Sequence, residues 1–167
     1  MKRFLFPALA ALSLAGISCS KSKPKEITSL QRKEAASLVS EAQFAKHVRD
    51  LPRAEALYTK ATALCPDDGK YWVDLGALRV QIGNKSAARE AYKSALAAYE
   101  SIKVEADPQP LMQQVYVLAL LGREKDARAV LDQAQKRFPD NRAVKGFTDG
   151  GQFEKMVADP RFREIAL

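Results

Sequence analysis

Side chains that could support catalysis are few and far apart in this sequence. The 167 residues include one histidine, His47, and two cysteines, Cys19 and Cys65. A single histidine excludes most His-based metal sites and acid–base relays, and the chain has no cysteine pair, glycine-rich phosphate loop or nucleophile elbow. Beside Lys46 and Arg49, His47 is expected to be a surface residue. We therefore expect no enzymatic activity, no metal and no cofactor.

Cys19 follows a segment with the layout of an export signal. Lys2 and Arg3 precede an apolar stretch over residues 4–17, and small residues lead to the cysteine. The sequence Ala-Gly-Ile-Ser-Cys at 15–19 resembles the lipobox of bacterial lipoproteins, whose cysteine becomes the first mature residue and carries acyl chains. Gly16 replaces the usual leucine, so ordinary cleavage to a soluble periplasmic protein stays an alternative. The resemblance implies a signal peptide over residues 1–18 and lipidation at Cys19.

Residues 19–33 are the predicted tether between the lipid and a folded domain. Lys21, Lys23 and Lys25 contribute to its basic charge, with Glu26 as the single acidic residue, and apolar side chains are few. Such a composition predicts a disordered or partly helical segment. It is either a solvated linker or a stretch that also contacts anionic lipid head groups. If Cys19 is lipidated, Cys65 has no partner for an internal disulfide and is expected to be a packing residue, with an intermolecular disulfide as the alternative.

Most of the net charge of +7 lies in the signal and the tether. Without Lys2 and Arg3, and without the five basic and one acidic residues of 20–33, the remainder from Glu34 onward carries 20 basic and 19 acidic residues. A nucleic-acid-binding domain concentrates positive charge on one face. The nearly neutral remainder therefore argues against nucleic acid as a partner.

The elements that would position a binding site follow a repeated helical pattern. The middle copy opens with Trp72-x2-Leu75-Gly76, breaks at Gly83-Asn84 and closes with Ala88-x3-Tyr92-x2-Ala95. Related closing patterns recur on both sides, as Ala54-x3-Tyr58-x2-Ala61 before Pro66 and as Ala127-x3-Leu131-x2-Ala134 before Pro139, the latter after a break at Gly122. Small residues suit close helix crossings, and glycines suit the positive φ that ends a helix.

This pattern resembles the tetratricopeptide-repeat (TPR) family over roughly residues 35–140. The resemblance implies an all-α fold: a short α-solenoid of about three TPR helix-turn-helix units with a C-terminal capping segment. We place the solenoid at residues 34–146 and the capping helices at 147–167. The ending after Phe147 is expected to bury Phe162 and Ile165 over the last repeat, with docking onto a partner as the alternative.

Several positions depart from the pattern. The first repeat has Glu41 and Ala42 where the Leu-Gly pair is expected, so it is interpreted as an N-terminal cap. Its turn has no glycine, although Asp50 can cap the next helix and Pro52 fits that helix's first turn. Ala127 of the third repeat lies 39 residues after Ala88 of the second, instead of the usual 34. The extra residues predict that the second helix of the middle repeat extends to about residue 104 and that a loop follows at 107–110.

The resemblance also implies which residues form a partner-binding groove, because the first helix of each TPR pair lines the concave face. The predicted groove residues are Val39, Gln43, Val73, Ala77, Val80, Met112, Tyr116 and Leu120, with His47, Gln81 and Ala119 beside them. Val39 and Gln43 occupy places where chaperone-binding members carry basic and amide side chains, so the carboxylate-binding set is missing. The groove is expected to be mostly apolar and to accept an amphipathic helix or extended segment. Alternatively, the chain fills its own groove, or residues such as Val80 and Leu120 pack between helices.

The predicted function is protein–protein interaction by a membrane-tethered TPR adaptor or assembly factor in the bacterial cell envelope. Another protein is the expected partner, and the N-terminal lipid would attach the chain to a membrane facing the periplasm. Ser20 stands where inner-membrane retention in enteric bacteria uses aspartate, which favours the outer membrane. Alternatives are a binding module for a small apolar ligand or lipid and a self-associating structural unit.

Overall fold

A computed structural model describes residues 26–167, and the predicted signal peptide, Cys19 and the first part of the predicted tether lie outside them. The described residues form helices without strands: α1 (Ser29–His47), α2 (Leu51–Leu64), α3 (Gly69–Gln81), α4 (Lys85–Glu100), α5 (Gln109–Leu120), α6 (Glu124–Arg137), α7 (Arg142–Thr148), α8 (Gln152–Ala158) and α9 (Pro160–Arg163). None of these helices is long and apolar enough to cross a bilayer.

The first six helices form three hairpins. Within each hairpin, α1 packs on α2, α3 on α4 and α5 on α6, and each hairpin contacts the next through α2–α3 and α4–α5. Because packing runs between neighbours along the chain, the core is continuous from one hairpin to the next. The helix α7 then packs on α6, and α8 and α9 follow as the capping segment. The predicted all-α solenoid with a C-terminal cap is confirmed.

The three hairpin turns share one backbone geometry. Arg49, Gly83 and Gly122 stand at equivalent positions with φ of 61°, 83° and 70°. In each turn the next residue's N–H donates to a carbonyl five residues earlier, as Asp50 N–H does to the Ala45 oxygen at 2.8 Å. This left-handed position is the usual end of a helix. The two predicted glycine breaks are confirmed, and Arg49 performs the same role in the first turn without a glycine.

Side-chain caps fix where several helices begin. Asp50 accepts a hydrogen bond from the Arg53 N–H at 3.2 Å, and Asn84 accepts one from the Ala87 N–H at 3.1 Å, both as predicted. Thr28 and Gln31 form a reciprocal capping box at α1. This box starts the first helix at Ser29, so residues 29–33 of the predicted tether are helical and continuous with the solenoid.

The connection between α4 and α5 differs from the sequence-based prediction. Helix α4 ends at Glu100 rather than near Val104, and residues 101–108 link it to α5. The Arg137 guanidinium donates a hydrogen bond to the Val104 carbonyl, and Val104 packs against a small cluster that contains Leu111 and Phe138. These distant contacts hold Val104 away from the path of α4, which the local sequence does not reveal.

Two larger clusters make up the core. The N-terminal cluster comprises the buried residues Ala35, Val39, Ala42, Ala45, Ala54, Tyr58, Ala61, Cys65, Leu75, Leu78 and Ala91. The C-terminal cluster comprises Tyr92, Ala95, Leu96, Val115, Val117, Leu118, Ala119, Leu120, Leu121, Ala127, Leu131, Phe153 and Phe162. Trp72 contacts both clusters. Cys65 is 1% exposed, which confirms it as a packing residue.

The capping segment returns to the solenoid instead of extending away from it. Phe153 is fully buried and Phe162 is 8% exposed. Beyond α9, the Ile165 carbonyl accepts a hydrogen bond from the Tyr92 hydroxyl at 2.6 Å, and the Leu167 N–H donates to the Leu120 carbonyl at 2.9 Å. The segment thereby covers an apolar end that would otherwise be exposed to water.

Candidate binding clefts

The first candidate site is a cleft of 540 Å³ between the first two hairpins, which we name the N-terminal cleft. Its lining comes from α1, the first hairpin turn, α2 and α3. These residues are Gln43, Lys46, His47, Arg49, Leu51, Tyr58, Asp74 and Gln81. The volume lies within the range of small-ligand and peptide pockets. The lining combines an apolar part with several charged groups.

Basic groups dominate the charge of the N-terminal cleft. Lys46, His47 and Arg49 contribute to its lining, and none of the three forms an ion pair with another residue in 26–167. The neighbouring Tyr58 is 2% exposed, and burial raises the pKa of its hydroxyl to about 12. Basic side chains beside such a low-polarity wall attract anions more strongly than the same groups in open water.

Asp74 is the acidic residue of this cleft, and its carboxylate is incompletely satisfied. Its Oδ2 atom is buried and accepts no hydrogen bond from any described residue. The nearest cation is Lys70, whose Nζ lies 3.7 Å from Oδ2, beyond hydrogen-bonding distance. Burial raises the pKa of the Asp74 carboxyl, while the charges of Lys70 and Lys46 oppose that rise. The oxygen is therefore a buried acceptor for which no described residue supplies a hydrogen bond.

The second candidate site, the C-terminal cleft, lies between α5 and α7 and has a volume of 350 Å³. It contains no charged side chain. Its lining residues are Gln109, Met112, Gln113, Tyr116, Ala143 and Phe147. Met112, Tyr116 and Phe147 are each half-buried and pack against the C-terminal cluster. An apolar cleft of this kind suits an apolar side chain of a partner.

The returning C-terminal segment reaches the residues beside this cleft. The Phe162 ring meets the Tyr116 ring edge to face, with centroids 5.7 Å apart. The main-chain bond between Leu167 and Leu120 lies at the end of the same helix, α5. One side of Tyr116 is thus covered by the chain itself, and another side lines the C-terminal cleft.

The predicted groove residues fall into three structural groups. Gln43 lines the N-terminal cleft together with His47 and Gln81, whereas Met112 and Tyr116 line the C-terminal cleft. Val73, Ala77 and Val80 are half-buried on α3 between them. Val39 is 6% exposed and Leu120 is fully buried, so these two side chains contribute to packing between helices.

The sequence-based prediction of the groove did not include nine residues that line the two clefts: Lys46, Arg49, Leu51, Tyr58, Asp74, Gln109, Gln113, Ala143 and Phe147. The special position of Arg49 could have been found by aligning the three repeats, because Arg49 stands where the other two hairpin turns have glycine. Phe147 begins the segment that was assigned to the cap, and α7 brings it beside α5. Asp74 gives no sequence signal, because its burial depends on the packing of several helices.

In comparisons with known proteins, the chain resembles a solved structure but matches no curated sequence or family model. No protein-family model matches the chain, and no curated protein sequence matches it. A solved structure, described as "Arabidopsis OM64 TPR domain", is similar with a TM-score of 0.44 and 16% sequence identity, over 75% of this chain and 98% of that chain. The description of the solenoid therefore rests on the helices, turns and contacts above.

Proposed function

We propose that this protein is a non-catalytic protein-interaction module that binds a segment of a partner protein in the C-terminal cleft. The main support is that Met112, Tyr116 and Phe147, from two helices, expose apolar surface in one cleft without charged side chains. Burying such surface against a partner's apolar side chain releases water and favours binding. The partner segment is an amphipathic helix or an extended chain.

The chain's own ending supports this proposal. Helix α9 contacts the solenoid through the rings of Phe162 and Tyr116. The residues beyond α9 add a main-chain hydrogen bond to the Leu120 carbonyl and accept one from the Tyr92 hydroxyl. The solenoid therefore already holds a polypeptide segment next to the C-terminal cleft by aromatic and main-chain contacts. A partner segment in the adjacent cleft would use the same kinds of interaction.

We also propose that the module is tethered in the bacterial cell envelope. The support is the export-signal layout and the lipobox-like sequence before Cys19. Acyl chains stabilise membrane attachment by about 0.8 kcal/mol for each buried methylene, so several chains hold a protein firmly. The proposed orientation faces the periplasm, at the outer membrane. A Cys19→Ala version should appear in the soluble fraction, and its retention in the membrane fraction would contradict the tether.

Site-specific photocrosslinking in cells tests the interaction. A photoreactive residue at Gln113, which lines the C-terminal cleft, should link to one envelope protein. The same group at Glu90, exposed on α4 and outside both clefts, is the matched control. The link at Gln113 should weaken in a Met112→Ala background whose thermal unfolding is little changed. Identical crosslinks from Gln113 and Glu90, or no effect of Met112→Ala, would contradict the proposal.

Self-association is a second candidate, and a separate observation favours it. Leu30, Phe44 and Val48 are 72%, 65% and 54% exposed at α1, the outermost helix of the solenoid. Positions 44 and 48 are one turn apart, and positions 30 and 44 are close to four turns apart, so all three share one face. Exposed apolar stripes often mark contacts between proteins. Light scattering should then show a dimer that Phe44→Ser converts to monomer, and a wild-type monomer would exclude this candidate.

A further inference from the structure

We propose that the outer face of the first hairpin, which we name the end face, binds the same face of a second copy of this chain in a two-fold arrangement. A groove of 400 Å³ between α1 and α2 marks the end face. The groove is lined by Glu34, Leu38, Lys60, Ala63 and Leu64. The contact rests on the self-association proposed above and specifies how the two copies meet.

The end face is the side of the first hairpin that no other hairpin covers within residues 26–167. Helix α3 packs on α2 and α5 packs on α4, so each later hairpin is covered by the one before it. On α2, Glu55 faces α3, where it pairs with Arg79 at 2.9 Å. Leu64 lies about two and a half turns further along α2 and therefore faces away from α3.

The end face continues the exposed apolar stripe of α1. Leu30, Glu34 and Leu38 follow one another at four-residue intervals, so they lie along one side of the helix. Leu38 and Leu64 are half-buried and pack against the N-terminal cluster. Covering the rest of their surface with a second copy removes apolar area from water, which favours the contact.

The charges of the groove favour a second copy over a partner of one charge sign. Glu34 and Lys60 are both exposed, and neither forms an ion pair with another residue of the described chain. An acidic partner would pair with Lys60 and be repelled by Glu34, and a basic partner would do the reverse. A second copy brings one group of each sign.

The two charged groups occupy opposite corners of the groove. Because α1 and α2 are antiparallel and are joined at residues 48–50, residues equally distant from that turn lie side by side. Glu34 is therefore beside Leu64, and Lys60 is beside Leu38. One diagonal of the groove is charged and the other is apolar.

This arrangement is self-complementary about one two-fold axis. In a two-fold contact, a residue that meets a second residue of the partner is met in return by the partner's copy of the first. An axis along the Leu38–Leu64 diagonal places Glu34 against the partner's Lys60 twice, and each leucine meets its own copy. An axis parallel or perpendicular to the helices would instead cover each charged group with a leucine, which is unfavourable.

Sedimentation equilibrium of the full mature chain tests the contact. The chain carries Cys19→Ala, so neither a lipid nor a disulfide at residue 19 can join copies. We expect a dimer that dissociates on dilution and whose dissociation constant rises with salt, because the ion pairs are screened. Lys60→Glu and Glu34→Lys each oppose like charges at two points and should each weaken the dimer about a hundredfold. Arg89→Glu, exposed on α4, is the matched control and should leave the dimer unchanged.

Charge exchange tests the two-fold geometry and separates it from a loss of folding. The double variant Glu34→Lys/Lys60→Glu again places opposite charges across the axis, so the dimer should return. The two single variants should be monomeric alone and should form a heterodimer when they are mixed. One of them carries only positive charges at these positions and the other only negative ones, whereas unfolded chains would not recover in either experiment.

A monomeric wild type would overturn both this contact and the self-association on which it rests. A dimer that Phe44→Ser disrupts but Lys60→Glu and Glu34→Lys leave intact would keep self-association and overturn the end-face geometry. Failure of the double variant and of the mixture to dimerise would also overturn it. The crosslink from Gln113 should persist in Lys60→Glu cells, so partner binding in the C-terminal cleft is tested separately.

Discussion

The apolar core is shielded from water in different ways at the two ends of the solenoid. The N-terminal cluster is rich in alanine, with Tyr58, Leu75 and Leu78 among its few large side chains. Small residues allow helices to approach closely, and the surface above them holds a charged cleft. The C-terminal cluster uses larger side chains and takes Phe153 and Phe162 from the capping segment. The difference indicates that the N-terminal end is completed by close helix contact and the C-terminal end by returning chain.

Phe153→Ala should produce the largest loss of stability, because it removes a fully buried ring from the cap. We expect the free energy of unfolding to fall by about 3–5 kcal/mol, measured by urea denaturation. The Arg128 guanidinium, which stacks over this ring at 4.7 Å, also loses its contact. Val39→Ala in the N-terminal cluster is the control and should cost about 2 kcal/mol. If the two variants lost the same free energy of unfolding, the proposed difference between the two ends of the core would be contradicted.

Gly76→Ala tests the boundary between the two clusters. A Cβ atom at this position would overlap the Tyr92 ring, so α3 and α4 must move apart. Overpacking of this kind should cost about 1–3 kcal/mol in thermal or urea unfolding. Ala77→Ser, at the half-buried neighbouring position, should change stability little. A fully tolerated Gly76→Ala would show that the boundary is looser than the structure indicates.

Tyr92→Phe tests how the C-terminal segment is held. It removes the hydroxyl that donates to the Ile165 carbonyl and leaves the ring in place. The expected loss is about 1 kcal/mol, together with faster exchange of the Leu167 amide hydrogen, which bonds to Leu120. Tyr71→Phe is the control, because its hydroxyl makes no hydrogen bond within 26–167. Unchanged exchange at Leu167 would show that the segment is held without this bond.

Asp74→Asn tests the N-terminal cleft and should have the smallest effect. Burial raises the folded-state pKa of this carboxyl above its ordinary 3.8, so the folded state binds more protons and the wild type loses stability as pH rises through that range. The asparagine variant lacks this loss. It should be more stable than the wild type at neutral pH, and in thermal unfolding the difference should shrink as the pH falls toward 3.8. A difference that does not depend on pH would contradict the burial argument.

The repeat pattern made much of the fold predictable. Tyr58, Tyr92 and Leu131 recur at the same place in the second helix of the three hairpins, and the two glycine turns end helices where expected. These features depend on contacts between residues of one hairpin or its neighbour. The resemblance to the TPR family predicted a binding face with Met112 and Tyr116, and both residues line the C-terminal cleft.

Other features could not be predicted because they depend on residues far apart in the chain. After α4, the chain at Val104 is held by Arg137, which lies 33 residues further along the sequence. The position of the C-terminal segment depends on Tyr92, 73 residues before its acceptor. Arg49 in a left-handed conformation contradicts local preference, so the sequence shows it only as a missing glycine.

By itself, the sequence determined the helical hairpins, their caps and turns, and the identity of the small residues that allow close packing. These properties follow from local backbone preferences and from periodic burial, which neighbouring residues specify. Only the tertiary structure decided that the predicted groove divides into a charged and an apolar cleft, that Val39 and Leu120 are buried, and that the chain's ending returns to α4 and α5. The physical reason is that burial of a charge or a ring depends on every helix packed around it.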